Sequence, residues 1–276
     1  MKDQSPTSTP DLEDVIGQLG EAGQRLVELC ASEGASGNLS AYLRTTPAQF
    51  PGFTAAEEIE LPLSVPELAG GTFVVTGSGT RSREILDAPF KCLACVEVHQ
   101  SGKTGTLRYG RARRFARLTS EFNSHLVVHR AKVVQFALPF HAVVHAQPRK
   151  VTYLSHIAEY QDQATLNRRL LRWQPEAILN FPEGIAIVPF LVPGQSALMQ
   201  ANEQAFTDRN IVVWSKHGVM ARSSTSVLSA VDLIEYLETA AAYECLDRML
   251  GGQAQGLSTE QMREIAAAYG VAQSLF

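Results

Sequence analysis

The chain has 276 residues, of which 45% are hydrophobic and 19% charged, and its formal net charge is -4. That length suits one large α/β domain or two small ones, and the apolar content supports a substantial core, which excludes general disorder. The slight acidity gives no electrostatic case for nucleic acid or an anionic membrane, so an anionic ligand would have to be held locally.

The first ten residues, MKDQSPTSTP, are polar and are expected to form a flexible segment without an export signal. No run approaches the roughly 18 apolar residues of a membrane span. Pro10 suits the first position of an opening helix capped by Thr9, and Leu12, Val15, Ile16, Leu19, Leu26, Val27 and Cys30 recur at helical spacing until Gly34. GTFVVTGSGT reads as a strand running into a Gly/Ser turn, and CLACVEVH and GTLRYGR as two strands joined by a hairpin-like SGKTG. The C-x-x-C of Cys92 and Cys95 has no second pair to complete a zinc knuckle. Cys92 and Cys95 are expected to be buried thiols, and the usage of all four cysteines, with Cys30 and Cys245, suits a reducing cytoplasm.

LTSEFNSHLVVHRAKVVQF carries Phe122, Leu126, His129 and Val133 on one stripe, which predicts a helix capped by Thr119 or Ser120. HAVVHA then reads as a buried strand, RKVTYLSHIAEY as a helix, and GIAIVPFLVPG and NIVVWSKHGVMAR as strands closed by Pro-Gly and Lys-His-Gly turns. Ser226 to Leu250 predicts a long helix ended by Gly251-Gly252, and Ser258 to Gln261 fits a capping box. Strands and helices mixed throughout, with no linker in the middle, favour one α/β domain over 1–276.

Side chains alternate along a strand, so His141, His145 and Gln147 share a face. Neighbours two apart are about 6.5 Å apart and can share an ion, whereas four apart is about 13 Å. His145 with position 147 is thus the plausible chelating pair. Gly218 allows a tight turn that projects His217. Glu121 reads either as a carboxylate favoured by the start of a helix or as a general acid/base near a metal. The turns GASGNLS and VTGSGT offer backbone N–H groups and hydroxyls of the kind that cradle phosphate.

Taken in order, GNLS, VTGSG, TSE, VVHAQ, WQPEAILNFPEGIAIVPFLVPG and WSKHGVMARS resemble the class II (metal-dependent) aldolase and adducin-head family, from about residue 20 to the end. The resemblance implies a three-layer α/β/α domain with a central, largely antiparallel sheet. It also implies a zinc-dependent (or other divalent-metal) cleavage of a phosphorylated ketose, of the rhamnulose 1-phosphate kind, to dihydroxyacetone phosphate and an aldehyde such as lactaldehyde. On this resemblance His145 and His217 match metal ligands, Glu121 the catalytic carboxylate and Glu176 a carboxylate in the substrate region. Gly37, Asn38, Ser78 and Gly79 match the phosphate turns, and a cytoplasmic homotetramer with sites between subunits is expected.

The departure is Gln147, where the family carries a second histidine of a His-x-His pair. Its neutral amide oxygen is a poorer zinc ligand than imidazole. Three outcomes remain open there: an altered site using Gln147, a substitute ligand such as His141 or Glu121, or no catalytic metal. The alternative functions are a sugar-phosphate epimerase or dehydratase of the same family and, because of Gln147, a non-catalytic oligomeric module like the adducin head.

Overall fold

A computed structural model describes residues 9–273 and 275–276, so the segment expected to be flexible lies outside the described residues apart from Thr9 and Pro10. Strands β1 (Asn38–Leu43), β2 (Ala55–Glu60), β3 (Thr72–Thr76), β4 (Leu93–Val98), β5 (Thr104–Tyr109), β6 (Phe140–Ala146), β7 (Ala186–Val188), β8 (Ile211–Trp214) and β9 (Gly218–Ser223) form one sheet. Their order is β2-β5-β4-β3-β1-β6-β9-β8-β7. All neighbours are antiparallel except β7 with β8. The helices are α1 (Leu12–Glu28), α2 (Pro89–Cys92), α3 (Phe122–Phe136), α4 (Arg149–Leu154), α5 (Gln163–Leu170), α6 (Pro175–Asn180), α7 (Ser196–Ala205), α8 (Val227–Met249) and α9 (Thr259–Ala268).

The central strands β1 and β6 are buried along their whole length, and their alternation sorts side chains between two helical layers. Leu39, Ala41, Phe140, Ala142 and Val144 face a core shared with α1, α4, α5, α6, α8 and α9. On the other face Tyr42, Phe73, Val75 and Val143 pack under α3, and α7 lies beside α3. The expected three-layer arrangement around a largely antiparallel sheet is therefore present. Each Leu or Val buried this way contributes about 1.5–3 kcal/mol. No helix among the described residues is long and apolar enough to cross a membrane.

Local departures from expectation have physical causes. The first helix begins at Leu12, not at Pro10, because the Asp11 side chain accepts from the Glu13 N–H and supplies the cap. Residues 34–40, read as a turn, run into β1 at Asn38. β2 also escapes the pattern because Glu57, Glu58 and Glu60 give it a charged surface suited to a sheet edge. The helix after β6 stops at Leu154, and the following turn at 158–161 is 3-10. Ser226 caps α8, and the capping box at Ser258 and Gln261 is formed. Cys92 and Cys95 are buried free thiols, whereas Cys30 is exposed and Cys245 half-buried.

Candidate active site

Several strand ends meet at one rim of the sheet. Asn38 at the start of β1 pairs with His145 near the end of β6, Ala146 pairs with Val219 at the start of β9, and Ser40 pairs with Val75 near the end of β3. Both glycine turns consequently fall on this rim, one entering β1 and the other leaving β3. Gly37 has φ +80, and a Cβ there would come within 2.9 Å of the His145 carbonyl, so only glycine fits.

His145 projects to the α3 side of β6. Its Nδ1–H donates to the Val219 carbonyl at 2.8 Å, which orients the ring and turns Nε2 toward Glu121. Trp214 stacks on this imidazole with ring centroids 4.4 Å apart, and its own Nε1–H donates to Asn202 Oδ1 at 2.7 Å. His217 sits in the tight turn between β8 and β9. Its N–H returns to the Trp214 carbonyl at 3.0 Å, Lys216 adopts φ +66, and the Lys216 N–H is held by Ser155 Oγ at 2.7 Å.

Glu121 arrives from the neighbouring edge of the rim. The Ser78 N–H donates to the Arg117 carbonyl at 2.9 Å and the Thr119 N–H to the Thr76 carbonyl at 3.1 Å, so the chain follows β3 before turning into α3. Glu121 itself, not Thr119 or Ser120, occupies the N-cap position, yet its side chain makes no capping bond. Oε2 instead accepts from the Asn38 Nδ2–H at 2.6 Å and lies 3.7 Å from His145 Nε2, while Oε1 lies 3.8 Å from His217 Nε2.

Burial pushes the Glu121 carboxyl up, but His145, the hydrogen bond from Asn38, His217 and His125 outweigh it and hold the group below the usual carboxylate range. Burial, reinforced by His145 and opposed by Glu121, brings His217 down to about 4. Near neutral pH an ionised carboxylate and a neutral His217 imidazole therefore face His145 Nε2. The three ligand atoms all lie within 4.8 Å of one another. Separations of 3.7 and 3.8 Å are too long for hydrogen bonds, so these buried lone pairs do not satisfy each other. Two imidazoles and a carboxylate so disposed fit a divalent first-row cation, whose ligands stand about 2.0–2.2 Å away.

The other residues singled out in the sequence divide. Gln147 lies just beyond β6, half-buried, and its Cγ would be 3.2 Å from a Cβ at Gly218, which places its stem beside the His217 turn. His141 is not in this cluster and meets His129 instead, Nδ1 to Nδ1 at 2.8 Å. Gly79, with φ +76, is exposed, and Ser78 is half-buried. Asn38 has its side chain committed to Glu121 and, through Oδ1, to His125 Nε2 at 2.5 Å. Glu176 is exposed on α6, which packs on α8 and α9, and it is not part of the cluster of Glu121, His145 and His217. Sequence reasoning missed Trp214 and the bond from Asn38 to Glu121. The first was signalled only by an aromatic three residues before His217 in a short strand.

The chain is similar to several known proteins. Residues 17–245 match the family described as Class II Aldolase and Adducin N-terminal domain. A rhamnulose-1-phosphate aldolase of Pectobacterium atrosepticum is 30% identical over 207 residues, covering 75% of this chain and 74% of that one. Its counterpart in Listeria welshimeri is 31% identical over 206 residues, covering 74% and 72%. A crystal structure of a sugar-phosphate aldolase from Thermotoga maritima superposes with a TM-score of 0.73 at 26% identity, covering 89% of this chain and 99% of that one. With a family match over most of its length and a fold in common with the Thermotoga maritima aldolase, the chain belongs to the class II aldolase and adducin N-terminal domain family.

Proposed function

We propose that the protein is a metal-dependent aldolase that cleaves a phosphorylated ketose of the rhamnulose 1-phosphate kind to dihydroxyacetone phosphate and an aldehyde such as lactaldehyde. The observation that carries this reading is the convergence of Glu121, His145 and His217, too far apart to hydrogen-bond with one another, on the rim that also holds both glycine turns. His145 and His217 would hold zinc or a similar divalent cation, with Gln147 within reach, and Lewis acidity toward the substrate ketone is the chemistry that such a cation supplies. Glu121 is the proton carrier. Cleavage requires a proton to leave the C4 hydroxyl as the C3–C4 bond breaks and a proton to arrive at C3, which keeps the electron pair. A carboxylate that first accepts and then donates balances both.

Gly37, Ser78 and Gly79 are the proposed phosphate contacts, through backbone N–H groups and the Ser78 hydroxyl, and Asn38 joins them from its backbone because its side chain is engaged. Glu176 is exposed, and in a homotetramer with sites between subunits it would act in a neighbour's site. Exposed Tyr153, Phe190 and Val192 support such an assembly, and the free thiols suit a cytoplasmic enzyme.

Incubation of the protein with zinc and rhamnulose 1-phosphate or fuculose 1-phosphate is expected to release dihydroxyacetone phosphate, and chelation is expected to stop it. No product from either ketose would overturn the substrate assignment. Gln147→His is expected to tighten zinc binding by at least about tenfold, because an imidazole nitrogen replaces a neutral amide oxygen beside the His217 turn. Competition with a chelating dye measures this, and an unchanged affinity would show that position 147 does not face the ion.

A further inference from the structure

We propose that Asn38, His125, Ser40, His129 and His141 form a polarised hydrogen-bonded array, every donor pointing toward Glu121, that fixes the orientation of the Glu121 carboxylate. The chain of contacts stands on geometry, and its direction on the complete burial of the three imidazoles beside a carboxylate that only accepts; its importance for turnover rests on the aldolase reading above.

The contacts run without a break from the site into the interface between α3 and the sheet. Asn38 Nδ2 is 2.6 Å from Glu121 Oε2, and Asn38 Oδ1 is 2.5 Å from His125 Nε2. His125 Nδ1 is 2.6 Å from Ser40 Oγ, Ser40 Oγ is 2.7 Å from His129 Nε2, and His129 Nδ1 is 2.8 Å from His141 Nδ1. Ser40, His125, His129 and His141 are all 0% exposed.

The direction follows from the end that cannot vary. An ionised carboxylate only accepts, so Asn38 must turn its NH2 toward Glu121 and its carbonyl toward His125. His125 Nε2 must then carry hydrogen. Burial holds His125, His129 and His141 neutral, bringing His125 down to about 3 and the other two well below the usual histidine range. A neutral His125 has a bare Nδ1, which takes the single hydroxyl hydrogen of Ser40. Ser40 can then only accept from His129 Nε2–H, and His129 Nδ1 can only accept from His141 Nδ1–H. The array ends at His141 Nε2, a buried atom with no hydrogen-bond partner among the described residues, in the field of Arg222 and Lys132.

Every link thus has its hydrogen on the side nearer Glu121, and the aligned dipoles reinforce one another in a buried setting. The consequence is positional. With the Asn38 amide unable to flip, Oε2 stays pinned and Oε1 stays directed at His217. Asn38, Ser40, His125, His129 and His141 are positioning residues: apart from the His125 backbone N–H, which donates to the Glu121 carbonyl at 3.1 Å, the side chains beyond Asn38 reach the Glu121 carboxylate only through it.

Neutron diffraction from the deuterated full-length protein at neutral pH is the direct test. Deuterium is expected on His125 Nε2, on Ser40 Oγ toward His125, on His129 Nε2 and on His141 Nδ1. Deuterium on His125 Nδ1 or on His141 Nε2 overturns the array. With rhamnulose 1-phosphate, Ser40→Ala is expected to lower kcat about 10- to 100-fold while KM stays within about twofold. An unchanged kcat, or a loss confined to KM, overturns the positioning role. If the unaltered protein cleaves neither ketose phosphate, or Ser40→Ala does not fold, the neutron map still decides whether the array exists, so its failure is distinct from failure of the aldolase reading.

Discussion

Glu121→Gln is expected to lower kcat for ketose cleavage between roughly a hundredfold and ten-thousandfold, the range for loss of a positioned acid/base group. The substitution keeps the shape and retains an oxygen for the Asn38 N–H, which at present reaches Oε2 at 2.6 Å. It removes a charge that burial opposes, so the fold is expected to keep its melting temperature to within a few degrees, as about 1 kcal/mol would predict. What disappears is a site for the travelling proton, because an amide neither accepts nor returns one near neutral pH. Steady-state kinetics with divalent metal in excess, beside a thermal melt, checks this. A kcat within tenfold of the unaltered enzyme would mean that the proton is carried elsewhere.

The importance of Glu121 was only half legible in the sequence. A carboxylate at the start of a helix is ordinary dipole chemistry, and TSEF gave no sign that Glu121 would stand at the cap position without capping. The backbone bonds from Thr119 and Ser78 that turn the chain join it to residues about forty positions away, a non-local cause that no window of sequence contains. His145 was readable because period-two alternation in HAVVHA is short-range, and His217 because Gly218 marks a turn. β2 was lost because an edge strand carrying three glutamates lacks the alternation that a half-buried strand shows.

The buried array had a signal that was visible but uncombined. Glu121, His125 and His129 recur every four residues, His141 and His145 lie on one strand face, and Asn38 and Ser40 lie two apart on another. Each pattern alone is a row of buried polar side chains. Only the register that pairs Asn38 with His145 and Tyr42 with His141 makes the three rows one constellation beneath α3. Local rules fail where a site is built, and here the failures at Glu121 and at the buried histidines coincide.

Acidifying the chelator-treated protein from pH 7 toward pH 5 is expected to unfold it. His125 is held at about 3 and His129 and His141 well below their ordinary value, in each case first by burial. In the unfolded chain all three return to about 6.5. Below that pH the unfolded state binds protons that the native state refuses, so stability rises with pH and is lost as pH falls from 6.5 toward the folded values. A histidine that stays neutral in the fold contributes a slope of up to about 1.4 kcal/mol per pH unit below 6.5, and all three act in the same direction. By pH 5 the combined loss is on the order of several kcal/mol, a sizeable part of the whole stability of many domains, which is roughly 5–15 kcal/mol. The low pKa of Glu121 adds its own loss only at still lower pH, once the carboxylate begins to protonate. Urea midpoints measured at pH 7, 6 and 5 should therefore drop at both steps, and more steeply between pH 6 and 5. Midpoints that stay level across that range would show that the three imidazoles are not held neutral in the native interior.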